Sequence, residues 1–304
     1  MIPFPSIADR LFDRPLLAHP RTAYAVYSLL AARMGLPAMA WDDDGPDRPR
    51  LPPGAFAPFP AAPPRAGDWQ PYIAESGLAW IPVEGVLVNK GAWIGTDCGM
   101  TSYQGLRHQF DRAAADPDIR VILADYDTGG GECSGCFDLA RRIRAISREK
   151  SVISVCSDHA YSAGYALASA GSHLFAPRSG GVGSIGVIGV HIDQSRAMEM
   201  AGLKPTLIHA GARKADGNPF EALPADVRAE IEEDFEAARM EFAELVADHR
   251  GLSVAAVLET EARCYRAGQA LSAGLIDGIA SNAEVAKTLL ADLSGTAAPA
   301  MIAG

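Results

Sequence analysis

One serine in this chain occupies a position where a hydroxyl could do chemistry. Ser162 lies in the stretch DHAYSAGYALASAG, which predicts a tight turn running into a short helix of small residues. A serine at the start of a helix is usually a cap, because its oxygen accepts a hydrogen bond from an unpaired backbone N–H. The same position also suits a nucleophile, since free N–H groups there stabilise a developing anion. A nucleophile additionally requires a base.

Two side chains are candidates for that base. His159 lies three residues before Ser162, on the turn itself, and the G-x-S-x-G pattern of a nucleophile elbow is absent. Lys214 lies much further along the chain, in the turn-rich segment GARKADGNPF. A lysine deprotonates a serine only if burial keeps the amine neutral near pH 7. From these residues alone, an ordinary surface lysine is the alternative.

A run of three glycines follows a predicted buried strand. The segment DTGGGE at 127–132 comes directly after an apolar run that ends near Tyr126. Successive glycines let backbone N–H groups approach a ligand closely, as in anion-binding nests. The segment is not a P-loop, because no Gly-Lys-Ser/Thr follows, and it lacks the G-x-G-x-x-G spacing of a dinucleotide site. A donor loop and a plain tight turn both fit it.

Charge and cysteine content exclude several classes of function. The net charge of −10 and the pI near 5.2 argue against binding to nucleic acid or to an anionic membrane. Cys133 and Cys136 form a C-x-x-C pair, but no second pair completes a zinc site, so we interpret both as buried structural residues. The longest mostly apolar run near the N-terminus, 22–32, is too short to span a bilayer. We expect a cytoplasmic protein with no metal and no cofactor.

Strands and helices alternate along most of the chain. Strands are predicted at 78–88, 121–128, 151–157, 172–177, 185–193 and 204–211. Helices are predicted at 133–148, 162–170, near 195–202 and from about 224 to 249. This alternation predicts an α/β fold with a largely parallel, buried sheet.

Four regions are expected along the chain. Residues 1–40 are predicted to be a helical N-terminal extension. Residues 41–70 are rich in proline, which excludes a helix or a central strand and predicts a linker or strap. Residues 71–290 carry the α/β domain, and 291–304 are a small-residue tail that we expect to be flexible.

Several motifs taken together resemble the protease IV / signal peptide peptidase A family. They are YSAGY at 161–165, GSIGV at 183–187 and KADGNPF at 214–220, and they stand in the family's order. Downstream, YRAGQALSAGLID at 265–277 resembles the family's closing helix and Gly-Leu-Ile-Asp turn. The resemblance covers roughly residues 75 to 290. It implies a fold similar to crotonase and to the Clp protease proteolytic subunit, a repeated ββα superhelix with a mainly parallel sheet.

The resemblance also implies a serine–lysine dyad. By this likeness Ser162 is the nucleophile, Lys214 is its general base, and Ser184 hydrogen-bonds the lysine. The implied reaction begins when neutral Lys214 takes the Ser162 proton and the serine attacks a peptide carbonyl.

An oxyanion hole is implied by the same resemblance. Gly130 or Gly131 would donate one backbone N–H, and Ala163 would donate the second. The chain departs from the family's Ser-Pro-Gly-Gly turn, because Gly129 replaces the proline. Which of the two glycines donates therefore stays open.

The activity that the family resemblance implies is that of a serine endopeptidase. Members cut extended segments after small residues. We find no N-terminal anchor, so the chain is more similar to the prophage-encoded, lambda-type head maturation branch, which trims scaffold and portal-associated proteins inside a procapsid. A ring-like homo-oligomer is also implied. The alternatives are a cytoplasmic peptidase that degrades signal peptides, a crotonase-type acyl-CoA enzyme, and a silent structural subunit in which Ser162 is only a cap.

Overall fold

The computed structural model describes residues 15–20, 22–23, 72–90 and 99–295. The strands within these ranges are β1 (Leu16–Ala18), β2 (Ile73–Glu75), β3 (Leu78–Glu84), β4 (Val86–Val88), β5 (Met100–Ser102), β6 (Val121–Thr128), β7 (Gly130–Glu132), β8 (Ser151–Tyr161), β9 (His173–Ala176), β10 (Gly181–Gly183), β11 (Cys264–Arg266) and β12 (Gly278–Ile279). The helices are α1 (Tyr103–Ala115), α2 (Cys136–Glu149), α3 (Ala163–Ala168), α4 (Ser195–Met200), α5 (Ala225–Arg250), α6 (Val254–Leu258), α7 (Ala267–Ser272) and α8 (Asn282–Leu293).

An eight-stranded sheet lies at the centre of the fold. Its strand order is β11-β10-β8-β6-β3-β2, and β9 joins it by pairing with β8 on one side and β12 on the other. The pairs that link β3, β6, β8, β9, β10 and β12 are parallel, whereas β2 and β11 pair antiparallel at the two edges. The predicted α/β class with a mainly parallel sheet is therefore confirmed.

Helices cover both faces of this sheet, which explains why its strands are almost continuously apolar. Along β6, Ile122 belongs to the main core cluster together with Ile143 of α2, whereas Leu123 belongs to a second cluster with Leu289 of α8. Successive strand residues point to opposite faces, so β6 has a buried environment on each side. Burying a side chain of this size typically stabilises a fold by about 1.5–3 kcal/mol.

A second, four-stranded sheet has the order β1-β7-β4-β5. Two connections join it to the central sheet: β3 continues into β4 through Gly85, and β6 continues into β7 through Gly129. The two crossings are held together, because the Gly85 N–H donates to the Asp127 carbonyl at 3.0 Å and Thr128 Oγ1 donates to the Gly85 carbonyl at 2.5 Å. The glycine loop is thus fixed at the carboxyl end of β6.

Most of the predicted elements are confirmed, but two predicted strands are wrong. The segment 185–193 contains no strand and forms only an isolated bridge between Ile188 and Leu16. The segment 204–211 also contains no strand, and Ile208 within it is 95% exposed. Both segments have β-rich composition. A strand, however, also requires a partner with unpaired backbone groups, and neither segment lies beside one along its length within the described residues.

The N-terminal region differs from the predicted helical extension. Residues 16–18 form β1, and helical residues begin only at Pro20. The predicted linker at 41–70 lies outside the described residues, as does the tail beyond 295. The first residues of that predicted tail continue α8, which ends at Leu293.

A buried histidine near the end of α5 links stability to pH. The His249 Nδ1 atom lies 3.0 Å from the Ser169 hydroxyl oxygen, and both side chains are buried. Burial, and secondarily the positive charge of Arg144, lowers the pKa of His249 to about 4. The imidazole is therefore neutral in the folded protein over a range in which an unfolded histidine is charged.

We expect this histidine to destabilise the fold on acidification. Above pH 6.5 neither state binds the proton, and as the pH falls from about 6.5 towards about 4 only the unfolded state gains it. At 1.36 kcal/mol per pKa unit, the full loss is about 3 kcal/mol. Urea denaturation at a series of pH values should show a shallower decline for His249→Asn than for the parent chain in this window.

The comparison uses slopes against pH, so that any packing defect in the variant cancels. His209→Asn is a matched control, because His209 lies exposed on a loop, and its slope should equal that of the parent. Equal slopes for His249→Asn and the parent chain would show that His249 does not contribute.

Candidate active site

Two serines stand side by side at the carboxyl ends of β8 and β10. These strands are parallel and pair Tyr161 with Gly183. Directly beyond that pair, the Ser162 N–H donates to the Gly183 carbonyl at 2.8 Å. The next residue along the second strand is Ser184, so strand pairing alone places the predicted nucleophile beside the predicted lysine partner.

Ser162 has an unusual backbone and an unsatisfied side chain. Its φ of 55° and ψ of −118° lie outside the regions that non-glycine residues normally occupy. The residue is 1% exposed, and its Oγ has no hydrogen-bond partner among the described residues. Although Ser162 occupies the N-cap position of α3, its side chain makes no capping hydrogen bond. The capping interpretation is therefore wrong, and strain of this kind is typical of functional sites.

The glycine loop approaches Ser162 more closely than any other residue type would permit. Gly130 has a φ of 95°, and a β-carbon at this position would lie 3.0 Å from the Ser162 Cβ and 3.1 Å from the Ala163 nitrogen. The predicted donor loop, the predicted nucleophile and the predicted second donor are thus brought together.

The two candidate glycine donors differ in their hydrogen bonds. The Gly130 N–H donates to Thr128 Oγ1 at 3.1 Å, inside the loop. Gly131 lies in the middle of β7, opposite Leu17 of β1 and Leu87 of β4. The Gly130 N–H is held within its own loop, whereas Gly131 faces the neighbouring strand β1, and which of the two glycines donates to an oxyanion remains a prediction.

The surroundings of β7 hold the loop in place. The Glu132 carboxylate accepts a hydrogen bond from the Asn89 N–H at 2.7 Å, and the Tyr103 hydroxyl donates to the Glu132 carbonyl at 2.6 Å. Tyr103 is buried at the start of α1, so the first helix and the second sheet position the loop together.

Ser184 contacts a cysteine rather than the predicted lysine. Ser184 is buried, has a φ of 56°, and donates its backbone N–H to the Arg263 carbonyl at 2.9 Å. A side-chain hydrogen bond links it to Cys264 of β11; burial raises the pKa of that thiol overall, although the hydrogen bond opposes the rise. Sequence reasoning did not identify Cys264 as a neighbour.

Lys214 is not part of the cluster in the isolated chain. It lies exposed on the turn-rich segment after α4, with its backbone N–H donating to the Gly211 carbonyl at 3.2 Å. Because the Ser162 Oγ has no partner within the described part of the chain, the two side chains are not hydrogen-bonded. The serine and the lysine that the sequence analysis pairs are therefore separate here.

His159 belongs to an ionic group beside the site. Its Nδ1 lies 3.3 Å from a carboxylate oxygen of Asp127 and 3.2 Å from one of Asp158. Within the described ranges these three side chains are the one group whose ligand atoms lie close enough together for a metal ion. The two aspartates are exposed, and exposed acidic groups often cluster in this way without a metal ion.

The prediction that both cysteines of the C-x-x-C pair are buried holds for Cys136, whereas Cys133 is only partly buried. Cys136 is buried at the start of α2, and its Sγ lies 3.7 Å from the Ala163 carbonyl oxygen. Burial raises the pKa of Cys133 to about 11, which keeps that thiol protonated at neutral pH. Cys98 lies outside the described residues.

Strand β1 crosses the glycine loop, and sequence reasoning missed it. The His19 N–H donates to the Gly129 carbonyl at 2.7 Å, and the His19 ring stacks on Tyr161 with centroids 5.1 Å apart. Pro15 and Pro20 bracket the strand. Because residues that precede proline favour extended conformations, these prolines were the available signal against a helix.

A family model described as Peptidase family S49 matches residues 144–295, which includes Ser162, Ser184 and Lys214. Capsid assembly protease C of Escherichia phage lambda is 35% identical over 300 residues, covering 92% of this chain and 64% of that protein. Head-tail preconnector protein GP5 of Enterobacteria phage P21 is 37% identical over 269 residues, covering 88% of this chain and 53% of that protein. The chain thus spans less than two thirds of the length of these two relatives.

One more distant relative and one solved structure are also similar to parts of the chain. A putative signal peptide peptidase SppA of Enterococcus faecium is 24% identical over 201 residues, covering 66% of this chain and 58% of that protein. Among solved structures, a ClpP1 mutant from Listeria monocytogenes matches with a TM-score of 0.41 and 13% identity, over 67% of this chain and 92% of that one. No helix within the described ranges is long and apolar enough to cross a membrane. On the match to its family model, which covers half of the residues, the chain belongs to peptidase family S49.

Proposed function

We propose that the protein is a serine endopeptidase with Ser162 as its nucleophile. The observation that carries the proposal is the buried hydroxyl of Ser162, which has no hydrogen-bond partner within the described ranges and is held in a strained backbone conformation next to the Ala163 N–H and the glycine loop. A hydroxyl with no partner of its own is free to attack. Backbone N–H groups on both sides suit the oxyanion that the attack creates.

Lys214 is the proposed base, and self-association is the proposed means of bringing it to the serine. The segment before it exposes three large apolar side chains, Met200 at 81%, Leu203 at 58% and Ile208 at 95%. Exposed apolar side chains of this size favour contact with another surface. A second copy of the chain that covers this segment would also desolvate Lys214, which favours the neutral amine that a base requires.

The proposed reaction proceeds through an acyl-enzyme. Lys214 Nζ takes the Ser162 proton as Oγ adds to the carbonyl carbon, and the N–H groups of Ala163 and of Gly130 or Gly131 hold the oxyanion. The C–N bond then breaks, with the proton passing from Lys214 to the leaving amine. Water, deprotonated by the same lysine, hydrolyses the ester and releases the acid. Ser184 orients the lysine once the lysine has arrived.

The proposed substrates are proteins of a phage head, with scaffold and portal-type proteins as the specific candidates and the procapsid as the place of action. The two phage relatives are a capsid assembly protease and a head-tail preconnector protein, and their names support this substrate class. We propose cleavage of extended segments after small residues. The two phage relatives share 35% and 37% identity with this chain, against 24% for the SppA-like protein, which favours a head protein over a signal peptide.

A fluorophosphonate probe tests the nucleophile and the base together. We expect the probe to label Ser162 in concentrated, assembled protein and not in Ser162→Ala. Lys214→Ala should slow labelling about 100-fold or more, because a general base typically contributes at least that factor. Intact-mass spectrometry with peptide mapping measures both results.

Lys204→Ala is the matched control for this experiment. Lys204 is also exposed and lies after α4, so its loss changes the charge of the region without removing the base. Labelling that is equal in Lys214→Ala and Lys204→Ala would contradict the dyad, and absence of labelling in the assembled parent chain would contradict the nucleophile.

The unpartnered hydroxyl also predicts a stability effect of unusual sign. In dilute protein, Ser162→Ala should raise the free energy of unfolding by about 1–2 kcal/mol, because a buried hydroxyl without a partner is removed. Ser169 is equally buried, but its Oγ donates to the Ala166 carbonyl at 3.0 Å and contacts His249. Ser169→Ala should therefore lower the free energy of unfolding by about 1 kcal/mol. Urea denaturation compares the two; a loss of stability in both variants would show that Ser162 is satisfied.

A further inference from the structure

Strand β1 makes backbone hydrogen bonds along both of its edges. On one side Leu16 exchanges two hydrogen bonds with Ile188, N–H to carbonyl at 2.8 Å and carbonyl to N–H at 2.9 Å. On the other side β1 pairs antiparallel with β7, in the register Leu16 to Glu132 and Ala18 to Gly130. A three-residue segment is thus held along both of its edges.

The register of β1 places the Leu17 carbonyl beside the nucleophile. Successive residues of a strand direct their N–H and C=O groups to opposite edges. Since Leu16 directs both groups to Ile188, Leu17 directs both to β7, where it stands opposite Gly131. The N–H of His19, two residues further along, also points to this side, because it donates to Gly129.

The distances around Gly130 agree with this register. A β-carbon on Gly130 would lie 2.1 Å from the Leu17 carbonyl oxygen, and the same point lies 3.0 Å from the Ser162 Cβ and 3.1 Å from the Ala163 nitrogen. A carbonyl that Ser162 is to attack must lie beside its hydroxyl and between the two oxyanion donors. The carbonyl oxygen of this chain's own Leu17 lies in the same small space around Gly130 as the Ser162 Cβ and the Ala163 nitrogen.

Side-chain burial gives the segment a firm hold. Leu17 is 0% exposed and belongs to the main core cluster, while Leu16 and Ala18 are also buried. Beyond the strand, the stacking of His19 on Tyr161 covers the residue that directly precedes Ser162. Backbone pairing, apolar pockets and an aromatic contact therefore act on the same short segment.

We propose that β1 is an autoinhibitory strand that fills the peptide-binding groove until it is displaced. The inference rests on the proposed function of Ser162 and adds regulation to that site. An extended peptide that adds to strand edges is a common mode of recognition, and a segment of the same chain has the advantage of a high effective concentration. A substrate segment must therefore replace β1 before its own carbonyl can reach Ser162.

The occupant differs from the proposed substrate at one position. Leu17, whose carbonyl lies near the Ser162 side chain, has a large and fully buried side chain, whereas the proposed cleavage follows a small residue. Strand β1 therefore fills the groove without presenting the residue that the proposed cleavage requires.

Weakening β1 tests the proposal, with the rate of fluorophosphonate labelling of Ser162 as the readout. Leu17→Asp places a carboxylate in a buried apolar site, which strongly disfavours the docked strand, so labelling should accelerate at least about tenfold. Leu16→Pro is a second variant that removes the N–H donated to Ile188 and keeps the Leu17 side chain. Leu271→Asp, at an exposed leucine of α7, is the matched control and should label at the parent rate.

Hydrogen exchange gives a readout that does not depend on activity. The amides of Leu16 and His19 should exchange slowly in the parent chain and in Leu271→Asp, and rapidly in Leu17→Asp. In Leu16→Pro, where position 16 has no amide N–H, the His19 amide should exchange rapidly. A peptide with the sequence of residues 14–20, RPLLAHP, should slow labelling of the Leu17→Asp variant, whereas the same peptide with aspartate in place of its second leucine should not.

The outcomes separate this inference from the proposed function. Equal labelling rates in the parent chain and in both β1 variants, with exchange at Leu16 and His19 altered as expected, would overturn the autoinhibition and leave the nucleophile standing. Rapid exchange of the Leu16 and His19 amides in the parent chain would also overturn it. Absence of labelling in every variant would overturn the nucleophile, and the inhibitory role of β1 with it.

Discussion

The candidate site depends on three stretches of backbone that meet in the space of one missing β-carbon. At Gly130, the Leu17 carbonyl, the Ser162 Cβ and the Ala163 nitrogen all lie within 3.1 Å of the position that a side chain would take. Such an approach requires glycine, and it also requires that each stretch be held independently. The parallel pairing of β8 with β10, the fixed crossing at Gly85 and the pairing of β1 with β7 supply those separate supports.

In the isolated chain, the fold holds the proposed nucleophile Ser162 in position, whereas the proposed base Lys214 lies away from it. Ser162 carries backbone strain and a buried hydroxyl that makes no compensating hydrogen bond within the described residues, so the fold bears the cost of the site whether or not the site is working. Lys214, by contrast, lies on an exposed segment that has no regular secondary structure of its own beyond its turns. Under the proposed function, in which association brings the lysine to the serine, activity depends on the state of assembly.

Sequence patterns predicted most of the central fold because that part obeys local rules. The apolar runs of β6 and β8 are buried on both faces, and apolar residues recur along α5 with the helical period. The sequence pattern alone was therefore enough to identify these elements. The neighbourhood of Ser162, Gly130 and Ala163 was anticipated from the family resemblance. The structure explains it, since the loops follow β6 and β8, which pair in parallel, and their carboxyl ends lie close together. The predictions that failed are those that depend on contacts with residues distant in the sequence. The segments 185–193 and 204–211 have the composition of strands but pair with no strand among the described residues. Residues Leu16–Ala18 form a strand because β7 lies on one side of them and Ile188 on the other. The exposure of Lys214 likewise follows from the tertiary arrangement and has no local signature.

The position of β1 has a consequence for the timing of activity. A strand tethered beside its own groove leaves by an event within one molecule, so departure follows a first-order rate that is set by its hydrogen bonds and its two leucines. If departure is slow, substrate concentration influences the onset of cleavage little, and every copy in an assembly has the same average waiting time. In the proposed role in a phage head, the docked segment therefore sets a delay between the assembly of the particle and the first cleavage of its proteins.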